Sequence, residues 1–294
     1  MWDRKSLLSA SQFSRSDVEE IISLASRLKQ KPERLCSGKI LANIFFEPST
    51  RTEKSFQAAM YRLGGSVISH KDAGSSREKG ETKKDTIRIL SSYADIAVIR
   101  DNESGRMQEY TKAAGVPVIS GGDGSNEHPT QMLTDAFTIK EEIGRLDNLK
   151  VAFIGDLKYG RTVHSLMQLL SKFSGNEIFS IAPASLSLPS DMKSMEAGRY
   201  DISQLREALA ETKPDAVYCT RIQKERLNGE KGSYVVDSTL LSVLPPHCRI
   251  MHPLPRVNEM NVEIDADKRV IPFVQAANGV PVRMAIIAKM LGGA

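Results

Sequence analysis

A chain of 294 residues, 40% apolar and 26% charged, carries ample core material and is long for one core, so two domains are expected and disorder is excluded. The net charge of +4 is dispersed, without a Lys/Arg block or aromatic-basic alternation, which argues against nucleic acid and favours an anionic small molecule as ligand. No apolar run reaches membrane-spanning length and the first nine residues lack an apolar signal core, so a cytoplasmic chain with no membrane partner is expected.

In chain order, residues 14–29 read as a helix capped by Ser14, with Val18, Ile21, Ile22, Ala25 and Leu28 on one face. Residues 39–46 form the apolar run of a buried strand, and Phe56, Ala59, Met60 and Leu63 then share a helical face. Between them stands Glu47-Pro48-Ser49-Thr50-Arg51-Thr52. A helix opening there collects free N–H groups and the positive end of its dipole, so hydroxyls and a guanidinium make a candidate phosphate cradle. An ordinary N-cap role for Ser49 or Thr50 is the competing reading.

Gly64-Gly65 ends that helix and Val67-Ile68 begins a strand. A polar loop at 72–81, a helix at 85–93, a strand at 96–100, a helix at 106–114 and a strand at 116–120 follow. A helix over 129–143 opens with Pro129 and is placed to bridge domains. Beyond Gly144 a second alternation starts with a strand at 151–154, a glycine turn at 155–160, and a helix carrying Val163, Leu166, Met167, Leu169 and Leu170. Strands at 178–181, 216–219 and 250–252, a helix near 203–209 and a small-residue helix over 280–291 complete it. Residues 182–194 and 228–233 read as loops. The pattern is that of an α/β protein with two domains, each a mainly parallel sheet flanked by helices. Ligands of such sheets bind at the carboxyl ends of the strands, where Arg100 and His128 stand.

Gly155 and Gly160 do not make G-x-G-x-x-G, Glu177 precedes its strand instead of ending it, and there is no G-x-x-x-x-G-K-[ST] loop. Nicotinamide and ATP readings are therefore weak. Cys36, Cys219 and Cys248 are isolated and odd in number, which fits reduced thiols. With no Ser-His-Asp arrangement and no His/Glu box, no metal and no cofactor are expected, and catalysis would rest on positioning and electrostatics. What remains is Ser49, Thr50, Arg51, Thr52, Ser75, Lys79, Arg100, His128, Arg161 and Arg221, a set suited to phosphate and carboxylate together.

Six segments carry a resemblance: Pro48-Ser49-Thr50-Arg51-Thr52, Lys79-Gly80-Glu81-Thr82, His128-Pro129-Thr130-Gln131, Gly155-Asp156-Leu157-Lys158-Tyr159-Gly160-Arg161-Thr162, Arg221-Ile222-Gln223-Lys224-Glu225-Arg226 and His252-Pro253-Leu254-Pro255-Arg256. In order and approximate spacing the chain resembles the transcarbamoylase family, and the fourth and sixth segments resemble its aspartate branch. Ornithine enzymes carry a cysteine in the segment corresponding to His252-Pro253-Leu254-Pro255, and none is present.

The resemblance implies transfer of a carbamoyl group from carbamoyl phosphate to the α-amine of L-aspartate, giving N-carbamoyl-L-aspartate in pyrimidine biosynthesis. It implies a carbamoyl-phosphate-binding domain over 1–143, with the C-terminal helix 277–294 packing back on it, and an aspartate-binding domain over 144–276. Ser49, Thr50, Arg51 and Thr52 would hold the phosphate, with Ser75 and Lys79. Arg51, Thr52, Arg100 and His128 form the catalytic set, the last three polarising the donor carbonyl. Gln131 and the backbone carbonyls of Pro253 and Leu254 would contact the carbamoyl amide. Arg161, Thr162, Arg221 and Gln223 would hold aspartate, helped by Lys79. Because the loop bearing Ser75 and Lys79 reaches a neighbouring subunit's site in the family, a homotrimer with shared active sites is implied, and a separate regulatory chain stays open.

The sequence departs from the family pattern at Glu53 and Glu78, which lower positive charge on the phosphate side, and in a short segment over 227–234 that bears on domain closure. Two alternatives stand beside the main reading: an inert structural homologue in a multi-enzyme assembly, and a transcarbamoylase for another amine. Arg161 and Arg221 favour a dicarboxylic acceptor over a cationic one.

Overall fold

The computed structural model describes residues 2–71, 80–124, 127–222, 227 and 232–293. It divides into two units, Met1–Phe137 with Asn278–Ala294, and Thr138–Ala277.

The first unit runs β1 (Ser6–Leu7), α1 (Arg15–Gln30), β2 (Ile40–Phe45), α2 (Thr50–Arg62), β3 (Ser66–Lys71), α3 (Lys83–Ser92), β4 (Ile96–Asp101), α4 (Met107–Ala114), β5 (Val118–Asp123) and the start of α5 (Pro129–Ile143). Ser14 caps α1: its hydroxyl accepts from Asp17 N–H, and the Asp17 carboxylate accepts from Ser14 N–H at 2.8 Å. The sheet is parallel, in the order β1-β5-β4-β2-β3. Helices cover both faces of its middle, so every residue of β4 is buried, whereas the edge strand β3 has only exposed and half-buried positions. From β2 the chain turns outward to β3, then crosses back to β4 on the other side. That reversal makes the carboxyl ends of β2 and β4 the switch point of the sheet, where its two following loops diverge and leave a crevice.

The second unit repeats the design with β6 (Lys150–Ile154), α6 (Arg161–Leu170), β7 (Glu177–Ala182), β8 (Gly198–Asp201), α7 (Leu205–Thr212), β9 (Ala216–Cys219), α8 (Ser238–Leu241), β10 (Arg249–Met251) and the start of α9 (Pro272–Met290). Its strands are parallel in the order β10-β9-β6-β7-β8, which puts the switch point between β6 and β9. Ile154, Ile181, Leu205, Leu209, Val217 and Ile250 form its core.

Three elements carry no signal in the sequence pattern, and one begins earlier than its pattern suggests. β1 has only two residues, too few for a periodicity, and β8 is a half-exposed edge strand that opens on glycine. α8 is a single turn capped by Asp237, whose carboxylate accepts from Leu240 N–H at 2.8 Å. The last helix, expected to begin at Val280, begins at Pro272. Pro281 reads as a helix start because it lacks an N–H, but here it lies inside the helix, four residues beyond Ala277. The unit boundary falls at Ala277/Asn278. The later part of α9 packs back on the first unit, with Arg283 over the Phe56 ring at 5.1 Å and Lys289 paired with Glu20.

All three cysteines are buried and free. Burial pushes the Cys36 thiol up to about 11 and Cys248 up to about 12, and raises Cys219 further. Since the thiolate is the reactive form, native protein at pH 8 is expected to resist iodoacetamide, while denatured protein labels fully. Mass spectrometry checks this, and rapid native labelling of Cys36 would contradict it. No helix among the described residues is long and apolar enough to cross a membrane.

Candidate active site

The first switch point gathers Ser49, Thr50, Arg51, Thr52 and Arg100. Ser49 occupies the N-cap position of α2 with φ −154°, yet its hydroxyl makes no capping bond. The first intrahelical bond runs from Glu53 N–H to the Ser49 carbonyl at 3.0 Å, so the N–H groups of Thr50, Arg51 and Thr52 precede the helical ladder. These N–H groups and the helix dipole present partial positive charge to the crevice.

Arg100 stands next to last in β4, opposite Phe45 of β2, and is buried. Its Nη1 donates to the Gly121 carbonyl at 3.0 Å and its Nη2 lies 3.1 Å from Glu47 Oε2. Its Nε has no hydrogen-bond partner among the described residues. Arg51 remains exposed at the start of α2, but partial desolvation and then the charge of Arg100 lower its pKa below the ordinary value. Two cations thus face the same N-terminus. Thr52 and Glu53 are buried. The Glu53 carboxylate accepts from Lys54 Nζ at 3.0 Å and Gln57 Nε2 at 3.2 Å and lies 3.9 Å from Lys71 Nζ, so its negative charge is locally offset.

The next strand, β5, leads to His128, which is buried and whose carbonyl accepts the first bonds of α5, from Gln131 N–H at 3.0 Å and Met132 N–H at 3.1 Å. Gln131 donates Nε2 to Asp135 Oδ1 at 2.7 Å, fixing its carboxamide one turn into the helix.

In the second unit the carboxyl ends of β6 and β9 are stapled. Thr220 N–H and Oγ1 both donate to the Ile154 carbonyl at 2.9 Å, and Tyr234 OH donates to the Thr220 carbonyl at 2.8 Å. Gly155 has φ +111°, and a Cβ there would sit 2.3 Å from the Thr220 carbonyl, so only glycine permits the approach. The staple sets Arg161, which opens α6 after the turn from β6, and Arg221, two residues beyond β9, on neighbouring loops of one sheet edge. Thr162 follows Arg161 in the first turn of α6 and is half-buried. At the adjacent strand end, Pro253 and Leu254 follow β10. Leu254 has φ +56° and its bond to Pro255 is cis.

Residues 5–141 match the family described as aspartate/ornithine carbamoyltransferase, carbamoyl-P binding domain, and residues 147–290 match its Asp/Orn binding domain. The chain belongs to the aspartate/ornithine carbamoyltransferase family. Within that family, the aspartate carbamoyltransferase catalytic subunit of Alkaliphilus oremlandii is 46% identical over 98% of this chain and 91% of its own length. That of Thermococcus kodakarensis is 43% identical over 99% and 98%. The fold matches the catalytic subunit of M. jannaschii aspartate transcarbamoylase at TM-score 0.89 and 42% identity, covering 98% of each chain. It also matches aspartate transcarbamoylase from Trypanosoma cruzi in complex with N-(phosphonacetyl)-L-aspartic acid at TM-score 0.89 and 38% identity, over 98% and 95%.

The first unit brings Ser49, Thr50, Arg51, Thr52, Arg100, His128 and Gln131 to strand ends, loops and helix starts at the carboxyl edge of one sheet, and the second does the same for Arg161, Thr162, Arg221, Pro253 and Leu254. Ser75, Lys79, Glu78 and Gln223 lie outside the described residues, as do 228–231 of the short segment. Glu47, His252 and Glu259 have no role on sequence alone, although Glu47 lies 3.1 Å from Arg100, His252 Nδ1 accepts from Leu254 N–H, and Glu259 in turn accepts from His252. Glu47 stands in the same loop as Ser49, and a carboxylate beside an arginine-rich anion cradle was the signal available for it.

Proposed function

We propose that this chain is an aspartate carbamoyltransferase, transferring the carbamoyl group of carbamoyl phosphate to the α-amine of L-aspartate and releasing phosphate. The supporting observation is the convergence of Arg51 and Arg100 on the N-terminus of α2, whose first N–H groups precede the helical ladder. A guanidinium whose charge is disfavoured by burial and by a neighbouring arginine, beside a helix N-terminus, gains most from a doubly anionic phosphate.

In this reading Ser49, Thr50, Arg51, Thr52, Ser75 and Lys79 hold the donor phosphate. Thr52, Arg100 and His128 donate to the carbonyl oxygen as the amine attacks, stabilising the tetrahedral oxyanion with donors already oriented by the fold. Arg51 balances the charge that builds on the departing phosphate. Gln131 and the carbonyls of Pro253 and Leu254 bind the carbamoyl amide, the former as an i,i+4 partner of Asp135 that cannot swing freely. Arg161, Thr162, Arg221, Gln223 and Lys79 take the aspartate carboxylates, with the guanidinium forks matching carboxylate geometry. The first unit, with the later part of α9, serves the donor and the second serves the acceptor. The working form is a homotrimer in the cytoplasm, with the Ser75 and Lys79 loop contributed to a neighbour's site. The reaction needs no cofactor in this scheme, since each step is a proton or acyl transfer between the two substrates.

The test is direct: purified protein is expected to form carbamoyl aspartate from carbamoyl phosphate and L-aspartate, with ornithine inactive as acceptor. An Arg51→Ala protein serves as control. Turnover no greater than that control overturns the assignment, and preference for ornithine reassigns the acceptor.

A further inference from the structure

We propose that His252 is a positioning residue, which ties down the Leu254 backbone through one defined imidazole tautomer and is itself anchored by Glu259. His252 follows β10 and is 2% exposed, and its N–H donates to Gln275 Oε1 at 2.9 Å. Leu254 N–H points at His252 Nδ1 at 2.8 Å. A backbone N–H can only donate, so Nδ1 is the bare acceptor nitrogen and the ring proton resides on Nε2. That proton is donated to Glu259 Oε1 at 2.9 Å.

Glu259 is buried and organises the rest of the turn, accepting from Val257 N–H at 3.2 Å and Asn258 N–H at 3.1 Å. Burial alone would raise its pKa, but the His252 bond and the backbone N–H groups of Glu259 itself and Val257 outweigh it and hold the carboxyl below its ordinary value. The anchor is therefore an ionised acceptor that keeps the imidazole proton on Nε2.

The Leu254 backbone needs such a tie. Its φ of +56° lies in the left-handed region that side chains with a Cβ disfavour, and the His252 bond closes the turn that holds it there. Neither His252 nor Glu259 touches a substrate in the proposed reaction. Their effect reaches it through the direction of the Pro253 and Leu254 carbonyls, so this inference rests on the reading that those carbonyls bind the carbamoyl amide.

Two variants separate the two bonds of the ring. His252→Asn sets an amide oxygen where Nδ1 stands and keeps an acceptor for Leu254. His252→Gln sets an amide nitrogen where Nε2 stands, keeping the Glu259 bond and losing that acceptor. With aspartate saturating, His252→Gln is expected to raise the KM for carbamoyl phosphate at least about fivefold, and His252→Asn to stay within about twofold of wild type, as loss or retention of one hydrogen bond requires. Equal shifts in both folded variants, or none in either, overturn the positioning role. Should a variant fail to fold, nitrogen NMR of histidine-labelled wild-type protein decides: a proton on Nε2 alone supports the tie, and a proton on Nδ1 overturns it. Wild-type protein without turnover defeats the proposed reaction instead, and the NMR tautomer still tests the Leu254 tie by itself.

Discussion

Arg100→Ala is expected to lower kcat by about 10²–10³-fold, the loss seen when one preorganised oxyanion donor is removed. Arg100 is well placed for such a role. It is 7% exposed, and the Gly121 carbonyl and Glu47 fix two of its nitrogens at 3.0 and 3.1 Å, so the guanidinium is oriented before any ligand arrives. Because it is buried, its field is weakly screened by solvent. Alanine would do double damage: the Glu47 carboxylate, no longer balanced, would remain beside the phosphate position as a like charge. Arg100→Lys restores the charge without the fork and is expected to fall between wild type and alanine. Steady-state kinetics with both substrates saturating measures the effect, and a thermal melt shows whether each variant is folded. A folded Arg100→Ala protein within about tenfold of wild type would remove Arg100 from the oxyanion set.

The sequence carried the alternation of strands and helices because parallel strands covered on both faces are continuous apolar runs, as in β2 and β4, and because α1 advertises itself with Ser14 and a clean apolar face. The position of Arg100 at a strand end was legible for the same reason. Strand edges and caps were not: β8 has too little burial to show a pattern, and α9 hides its true start behind Pro281. Ser49 shows the limit of residue-level reasoning. Its type suggests a capping side chain and its place is the cap position, yet its hydroxyl makes no capping bond, which only coordinates reveal. The supporting pairs were equally hidden. Glu47 with Arg100 is 53 residues apart by their numbers, and their meeting depends on the register of β2 against β4. His252 with Glu259 lies close in sequence, but its meaning depends on the left-handed Leu254 between them.

The largest stability effect is expected at Asp101, a fully buried carboxylate at the end of β4. Lys83 Nζ donates to both its oxygens, at 2.8 and 3.0 Å, and Tyr110 OH donates to Oδ2 at 2.5 Å. Lys83 opens α3, so the cluster fastens that helix to the strand that carries Arg100. Burial alone would raise the Asp101 pKa, but the Lys83 and Tyr110 bonds and the Glu103 N–H outweigh it and hold it below the ordinary value. Burial would lower Lys83, and its bonds to Asp101 and Glu103 more than reverse that. A depressed carboxylate pKa contributes stability that is present above the unfolded value of roughly 4 and is lost as pH falls through the folded value. A raised lysine pKa contributes stability that is present below the unfolded value of roughly 10.4 and is lost as pH climbs through the folded one. The cluster therefore stabilises between those limits and loses that contribution beyond either of them. Asp101→Ala takes away the buried partner of Lys83 and Tyr110, leaves Lys83, whose side chain is 16% exposed, with the exposed Glu103 alone, and is expected to cost about 3–5 kcal/mol at pH 7. For units of this size that is roughly 6–20 °C in Tm, read by calorimetry. The dissecting experiment is the triple change Asp101→Leu, Lys83→Met, Tyr110→Phe, which removes the charges and the buried hydroxyl together. It is expected to recover most of the loss, because a well-packed apolar replacement avoids the desolvation that the pair must overcome. An Asp101→Ala protein melting within about 2 °C of wild type, less than one kcal/mol, would show that the cluster is not what fastens α3 to β4.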